Sequence, residues 1–252
     1  MAGELILYFA IGFAAQLIDG SIGMGYGVIA TSALLASGLP PATASAAVHV
    51  TKIPTGIASG VSHWRVGNLD WRLARKLILP GIVGGLIGAT MVSLTPASAM
   101  RPLIALYLMV MGGVIMVRIL KPPHRDATKR SVLPVGFLGG LFDSAGGGWG
   151  AVVNSTLLMR GFRPSVAVAA TSAVEPIVAG AQAAVFGFWL GAGVLGQSGV
   201  IALALIAGAV CAAPVAALLV RRLPVRPILF VVGVALFAIN GPIVYAAIAT
   251  WR

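Results

Sequence analysis

From residue 5 to residue 250 the chain keeps returning to apolar runs, and the polar stretches between them never exceed about a dozen residues. A water-soluble fold would need a polar exterior that this chain lacks. It is 59% hydrophobic and 9% charged, where a soluble domain carries about 25% charged residues. It therefore reads as an integral membrane protein. Its apolar runs are long enough to cross as α-helices, whereas a barrel would show short alternating strands. The formal charge of +11 does not mark a nucleic-acid surface, because the basic residues sit in short loops between apolar runs, the pattern that orients a protein in a membrane. The single cysteine, Cys211, lies within an apolar run and has no partner for a disulfide or a metal site. With Glu4 and no basic n-region, the start does not read as a cleaved signal peptide.

Two apolar segments are interrupted in the same way. "GSIGMGYG" at 20 to 27 and "SAGGGWGA" at 144 to 151 each follow an aspartate, Asp19 or Asp143. Around them the halves match in register. At an offset of 124, Gly12, Phe13, Leu17 and Asp19 meet identical residues, and at 123 so do Gly23, Gly25, Gly27, Ser32, Gly38, Pro41 and Ala44. The order of glycine, proline and aspartate marks an internal duplication. Each half holds one broken unit (5 to 37, or 132 to 159) and three apolar runs: 42 to 63, 77 to 94 and 103 to 119, then 165 to 189, 199 to 220 and 227 to 250. The expected domains are a first repeat over 1–120, a basic cytoplasmic linker over 121–131 and a second repeat over 132–252.

The arms beside the first break read as about 14 and 10 residues, and those of the second are no longer. A helix needs about 20 residues to cross, so each unit either crosses once as a discontinuous helix or returns to its own side as a hairpin. Basic loops favour hairpins. With them, Arg65 to Lys76, Arg118 to Arg130, Arg160, Arg163, Arg221, Arg222 and Arg226 all fall on the cytoplasmic side, leaving Arg101 and Arg252 outside and Lys52 within the membrane. The same parity puts both termini outside and inverts the halves relative to each other; two short but complete helices per unit give the same parity. The expected fold is an all-α protein of two inverted repeats in the inner membrane, each with a glycine-broken hairpin and three transmembrane helices, both termini periplasmic.

Inverted repeats with interrupted helices at matching positions point to a secondary transporter whose site lies near the bilayer midplane. The glycines let backbone approach a ligand, and the helices that follow present free N–H groups with a partial positive charge. The expected substrate contacts at the tips are Gly23, Gly25, Tyr26 and Gly27 on one side and Gly146, Gly147, Gly148, Trp149 and Gly150 on the other. Packing alone also explains glycine-rich helices, and "GIVGGLIGA" at 81 to 89 reads as packing. Lys52 and Glu175 lie mid-segment at equivalent positions with opposite charge, too costly to face lipid. Lys52 reads as the counter-charge of an anion, with His49, Thr51 and Ser172 beside it, or as the partner of Glu175 in an ion pair joining the halves. Asp19 and Asp143 read as helix caps, cation ligands or proton carriers, and Glu175 as a proton site. No Ser/His/Asp set, zinc spacing or paired-carboxylate geometry is readable. The reading is therefore no enzyme, no cofactor and no metal.

The doubled "G-F-x-x-x-L-x-D" followed by "G-x-G-x-G", with "ASGLPPATASAAVHVTKIPTG" and "RGFRPSVAVAATSAVEPIVAG" in the two halves, resembles the TauE/SafE family of membrane permeases over nearly the whole chain. The resemblance implies movement of small anions, often sulfur oxyanions or organosulfonates such as sulfite or sulfoacetate, commonly outward. Ser172 and Glu175 stand where the first half has His49 and Lys52, so the site is asymmetric. The expected partners are a small anion, the bilayer and a coupling proton rather than sodium. Two rival readings are an uncoupled anion channel and a structural subunit whose hairpins only pack.

Overall fold

The computed structural model describes residues 2–22, 24–120, 131–219 and 225–249. Gly23, the linker up to Arg130, Arg221, Arg222 and Arg252 lie outside the described residues. All regular structure among the described residues is helical. The first half contains α1 (Ala2–Ile22), α2 (Tyr26–Ala36), α3 (Pro41–Arg65), α4 (Trp71–Leu94) and α5 (Ala97–Leu120). The second contains α6 (Leu133–Asp143), α7 (Gly150–Met159), α8 (Pro164–Leu219) and α9 (Val225–Ala249). The opening turn of α7 is wound as a π-helix over Gly150–Asn154. Within α8 the backbone leaves helical geometry at Gly191 (φ 77, ψ 171), giving two arms where two separate runs were expected. Trp71–Leu94, Ala97–Val117, Pro164–Gly191 and Leu229–Ala249 are each long and apolar enough to cross a membrane. The protein is a multi-pass helical membrane protein.

One expected boundary is corrected. The first arm is a helix of 21 residues, about 31 Å at 1.5 Å per residue, rather than an arm of about 14. Helix α1 continues through Asp19 and Gly20, and the reversal is left to Gly25, whose φ of 122 is open to glycine alone. By length α1 is able to cross unaided. Only α2, α6 and α7, at 11, 11 and 10 residues, stay short.

The two broken units end alike. Gly38 N–H donates to Leu35 O and Leu39 N–H to Leu34 O, while Gly161 N–H donates to Leu158 O and Phe162 N–H to Leu157 O. Each is a Schellman cap with glycine at positive φ, and in each a proline, Pro41 or Pro164, then opens a long helix. Long helices pack across the halves: α3 and the first arm of α8 meet at Gly56–Pro176 and Gly60–Ala173, and α1 meets the second arm at Gly12–Leu205 and Gly208–Phe9. The 81–89 glycines pack α4 onto α6, where a Cβ at Gly84 would overlap the Phe137 carbonyl and one at Gly140 the Gly81 carbonyl. Such close contact replaces a hydrophobic drive that lipid does not supply between helices. Large apolar side chains such as Leu79, Leu103, Val110 and Phe188 face outward, while His49, Lys52, Asp143, Gln182 and Asn240 are buried. This is the polarity that a hydrocarbon surround demands.

Candidate functional site

The two breaks meet. A Cβ at Gly27 would overlap the Gly147 carbonyl, so the tips touch backbone to backbone with no room for a side chain. Each tip is tied by its aspartate. Asp19 Oδ1 accepts the Tyr26 N–H at 3.0 Å, and Asp143 Oδ1 accepts the Trp149 N–H at 2.7 Å. Those two amides are therefore capped, which corrects the expectation that they stand free for a ligand.

Asp143 carries more than the cap. It is fully buried, its Oδ1 lies 2.8 Å from Lys52 Nζ and its Oδ2 lies 3.3 Å from His49 Nε2. His49 Nδ1 is 2.7 Å from the Ser45 carbonyl oxygen. Both ring nitrogens thus face oxygen atoms, one of Asp143 and one of Ser45. Lys52 Nζ also meets Glu175 Oε1 at 2.6 Å. The Lys52–Glu175 pair joining the halves is present, and Asp143 makes it a three-membered cluster. Burial of an ammonium group at this depth is tolerable only with such partners.

Beside this cluster lies a cavity of about 430 Å³. Of the expected site residues, Asp19, Gly25, Tyr26, Gly27, Lys52, Gly147, Gly150, Ser172 and Glu175 line it. Others do not. Trp149 is fully buried in the core, with Nε1–H donated to the Thr171 carbonyl at 3.1 Å, so it offers no aromatic edge to a ligand. Gly146 packs on Leu108 and Gly148 on Tyr107. The Thr51 hydroxyl donates back to the Ala47 carbonyl at 2.8 Å, as buried helical threonines do. His49 and Asp143 stand behind Lys52, off the wall. Gly23 is outside the described residues. Among the described residues no group of three or more His, Cys, Asp or Glu is placed to hold a metal.

The wall includes residues that the sequence reading passed over. Helix α3 contributes Thr55, Gly56, Ser59 and His63 after Lys52, and α8 contributes Pro164, Ser165, Val168 and Thr171 before Glu175. Gln16 and Met24 complete it near the first tip. The signal was present: stepping by three or four from Lys52 forward and from Glu175 backward stays on one helical face. The cavity therefore extends along α3 and α8 toward the helix ends adjoining Arg65 and Arg163. His63, given no chemistry from sequence, stands on this wall.

A multi-pass helical bundle with a polar cavity where two interrupted segments meet, its charges turned inward, is the architecture of a membrane transporter. The profile of the family described as "Sulfite exporter TauE/SafE" matches residues 8–241, and the chain belongs to this family of membrane transporters. It is similar to the "Probable membrane transporter protein YtnM" of Bacillus subtilis (strain 168), at 36% identity over 98% of this chain and 90% of that protein. No solved structure matches the chain.

Proposed function

We propose that this protein is a secondary transporter moving a small anion, a sulfur oxyanion or organosulfonate such as sulfite or sulfoacetate, across the inner membrane with a proton. Its halves are read as inverted repeats with both termini periplasmic; because the tips touch, the substrate is held beside them in the cavity along α3 and α8 rather than between them. The observation that carries the reading is the position of Lys52. It is the charged group on the cavity wall of the sign an anion needs, and its cavity-facing partner is Glu175.

The charge inventory supports proton coupling. Asp19 and Glu175 share the wall with Lys52, and Asp143 sits behind it. An anion about 4 Å from one ionised carboxylate is opposed by roughly 4 kcal/mol at an effective dielectric of about 20. Protonation of Glu175 or Asp19 removes that opposition, and at Glu175 it also releases Lys52 for the substrate. Anion and proton then occupy the cavity together. Asp143, with three donors already on its carboxylate, holds Lys52 in place and is not the carrier. Gly25, Tyr26, Gly27, Gly147 and Gly150 shape the tip side of the pocket, and Ser172 faces it from α8.

Flux into proteoliposomes tests this reading. Uptake of sulfite and of a sulfonate, whose strong parent acid keeps it charged across the pH range, is expected to rise with an imposed proton gradient. It is expected to vanish in Lys52→Ala and to lose its gradient dependence in Glu175→Gln. Saturation and counterflow exchange separate it from a channel. Unchanged uptake in Lys52→Ala overturns the assignment.

A further inference from the structure

The face opposite the cavity is fastened around Gln182. Gln182 on α8 is fully buried, and its Nε2 donates to the Gly140 carbonyl at 3.0 Å and to Ser144 Oγ at 2.9 Å, both at the end of α6. Ser144 Oγ in turn lies 3.0 Å from the Gly85 carbonyl of α4, and Ser45 Oγ of α3 donates to the Ser144 carbonyl. Phe186, one turn beyond Gln182, is fully buried against His49 with ring centroids 5.7 Å apart. Four helices are thus joined at one place.

The duplication maps four parts of this clasp, Gly140, Gln182, Phe186 and Ser45, onto the cavity wall, while Ser144 and Gly85 have counterparts off it. At the offset of 124, Gly140 corresponds to Gln16; at 123, Gln182 corresponds to Ser59, Phe186 to His63 and Ser45 to Val168. All four counterparts line the cavity. The long amide has changed sides: in the closed face it reaches from α8 to a glycine on α6, and in the open face it stands on α1 opposite a serine on α3. His63 Nδ1 is buried there with no hydrogen-bond partner among the described residues.

We propose that Gln182 and Gln16 are alternating clasps that position the two faces of the transport site. In this structure the Gln182 clasp is shut and the face toward Arg65 and Arg163 is open. In the opposite state Gln182 releases Gly140 and Ser144, and Gln16 closes onto Ser59 and His63. Both clasps are neutral amides facing neutral groups, so neither clasp itself carries a full charge, and a ligand that engages Lys52 is able to tip the balance between them. The inference depends on the two-repeat reading and on no particular substrate.

The experiment measures the reaction of single cysteines with a membrane-impermeant maleimide in a Cys211→Ala background. Thr55, on the cavity wall, and Val178, fully buried, are equivalent at the offset of 123, so Thr55→Cys and Val178→Cys report the two faces. Thr55→Cys is expected to react and Val178→Cys to be protected. Adding Gln182→Ala is expected to raise Val178→Cys labelling about fivefold or more and to slow Thr55→Cys, and adding Gln16→Ala is expected to do the reverse. A Gln16→Cys/Ser59→Cys pair is expected to cross-link under oxidation and to stop Thr55→Cys labelling; this pair decides the question if Gln182→Ala does not elute as a folded monodisperse species. Unchanged labelling in a folded Gln182→Ala chain, or a pair that never cross-links, overturns the clasp. Since no anion is added, that failure is distinct from failure of the sulfite or sulfonate assignment.

Discussion

Asp143→Asn separates the roles of the two duplicated aspartates. The Asp143 carboxylate is fully buried and takes the Lys52 ammonium at 2.8 Å, the His49 ring at 3.3 Å and the Trp149 amide at 2.7 Å. An asparagine keeps one acceptor oxygen, so it loses the ion pair and turns an N–H₂ toward existing donors. Removing one partner of a buried pair costs about 3–5 kcal/mol. Lys52 retains Glu175 at 2.6 Å, which puts the expectation at the lower end, about 3 kcal/mol. At roughly 2–4 °C per kcal/mol for a chain of this size, the melting temperature should fall by about 6–12 °C. Asp19→Asn loses much less: the residue lines the cavity, its cap to Tyr26 at 3.0 Å survives in part, and a lost cap costs only about 1 kcal/mol. Thermal denaturation of detergent-purified protein, followed by tryptophan fluorescence and by loss of the monodisperse peak, reads both. If the two variants melt together, or Asp143→Asn lies within about 2 °C of the parent, less than the loss of a single kcal/mol predicts, the division into anchor and cavity carboxylate is wrong.

Gly27→Ala and Gly147→Ala should each abolish accumulation of folded protein in membranes, because a Cβ at either meets backbone of the opposite tip; a monodisperse chromatographic peak for either would show that the tips do not touch. Gly25→Ala meets only Ile29 Cδ1 at 3.5 Å, but its φ of 122 should lower stability by roughly 1–2 kcal/mol while leaving a protein that still folds, as thermal melts would show. Trp149→Phe loses the bond to the Thr171 carbonyl, about 1 kcal/mol, and since the ring is off the cavity the half-saturating concentration of the proposed anion should not move.

Much of this arrangement could be read from residue order. The Asp–Gly breaks, the ion pair across equivalent positions and the long runs all follow from local chemistry: glycine where φ must be positive, charge only where a partner waits, apolar side chains toward lipid. Less legible was where a helix stops. Nothing in "LIDGSIG" forces α1 to end at Asp19, because a single glycine is a weak breaker inside a packed helix, and α1 runs on to Ile22. Trp149 was misplaced for a related reason. Alignment with Tyr26 gives it the same backbone position, yet the glycines at 81 and 139 leave a hollow that the indole ring fills.

The asymmetry of the charged cluster follows from the same duplication. Two identical halves meeting at their tips would bring like charges together: two lysines at the positions of Lys52 and Glu175 would repel across the shared helix contact, and two glutamates would leave the pair of tip aspartates without any cation. With one of each, Lys52 reaches Asp143 of the other half while Glu175 faces the cavity. One tip is thereby anchored by an ion pair and the other only by the Asp19 cap. A double-mutant cycle on Lys52 and Asp143 against one on Lys52 and Glu175, read as melting temperature, should give the larger coupling to Asp143, because Glu175 keeps 22% of its side chain exposed and Asp143 none; equal couplings would mean that the partly exposed carboxylate holds Lys52 as firmly as the buried one, and that Asp143 is not the anchor of the cluster.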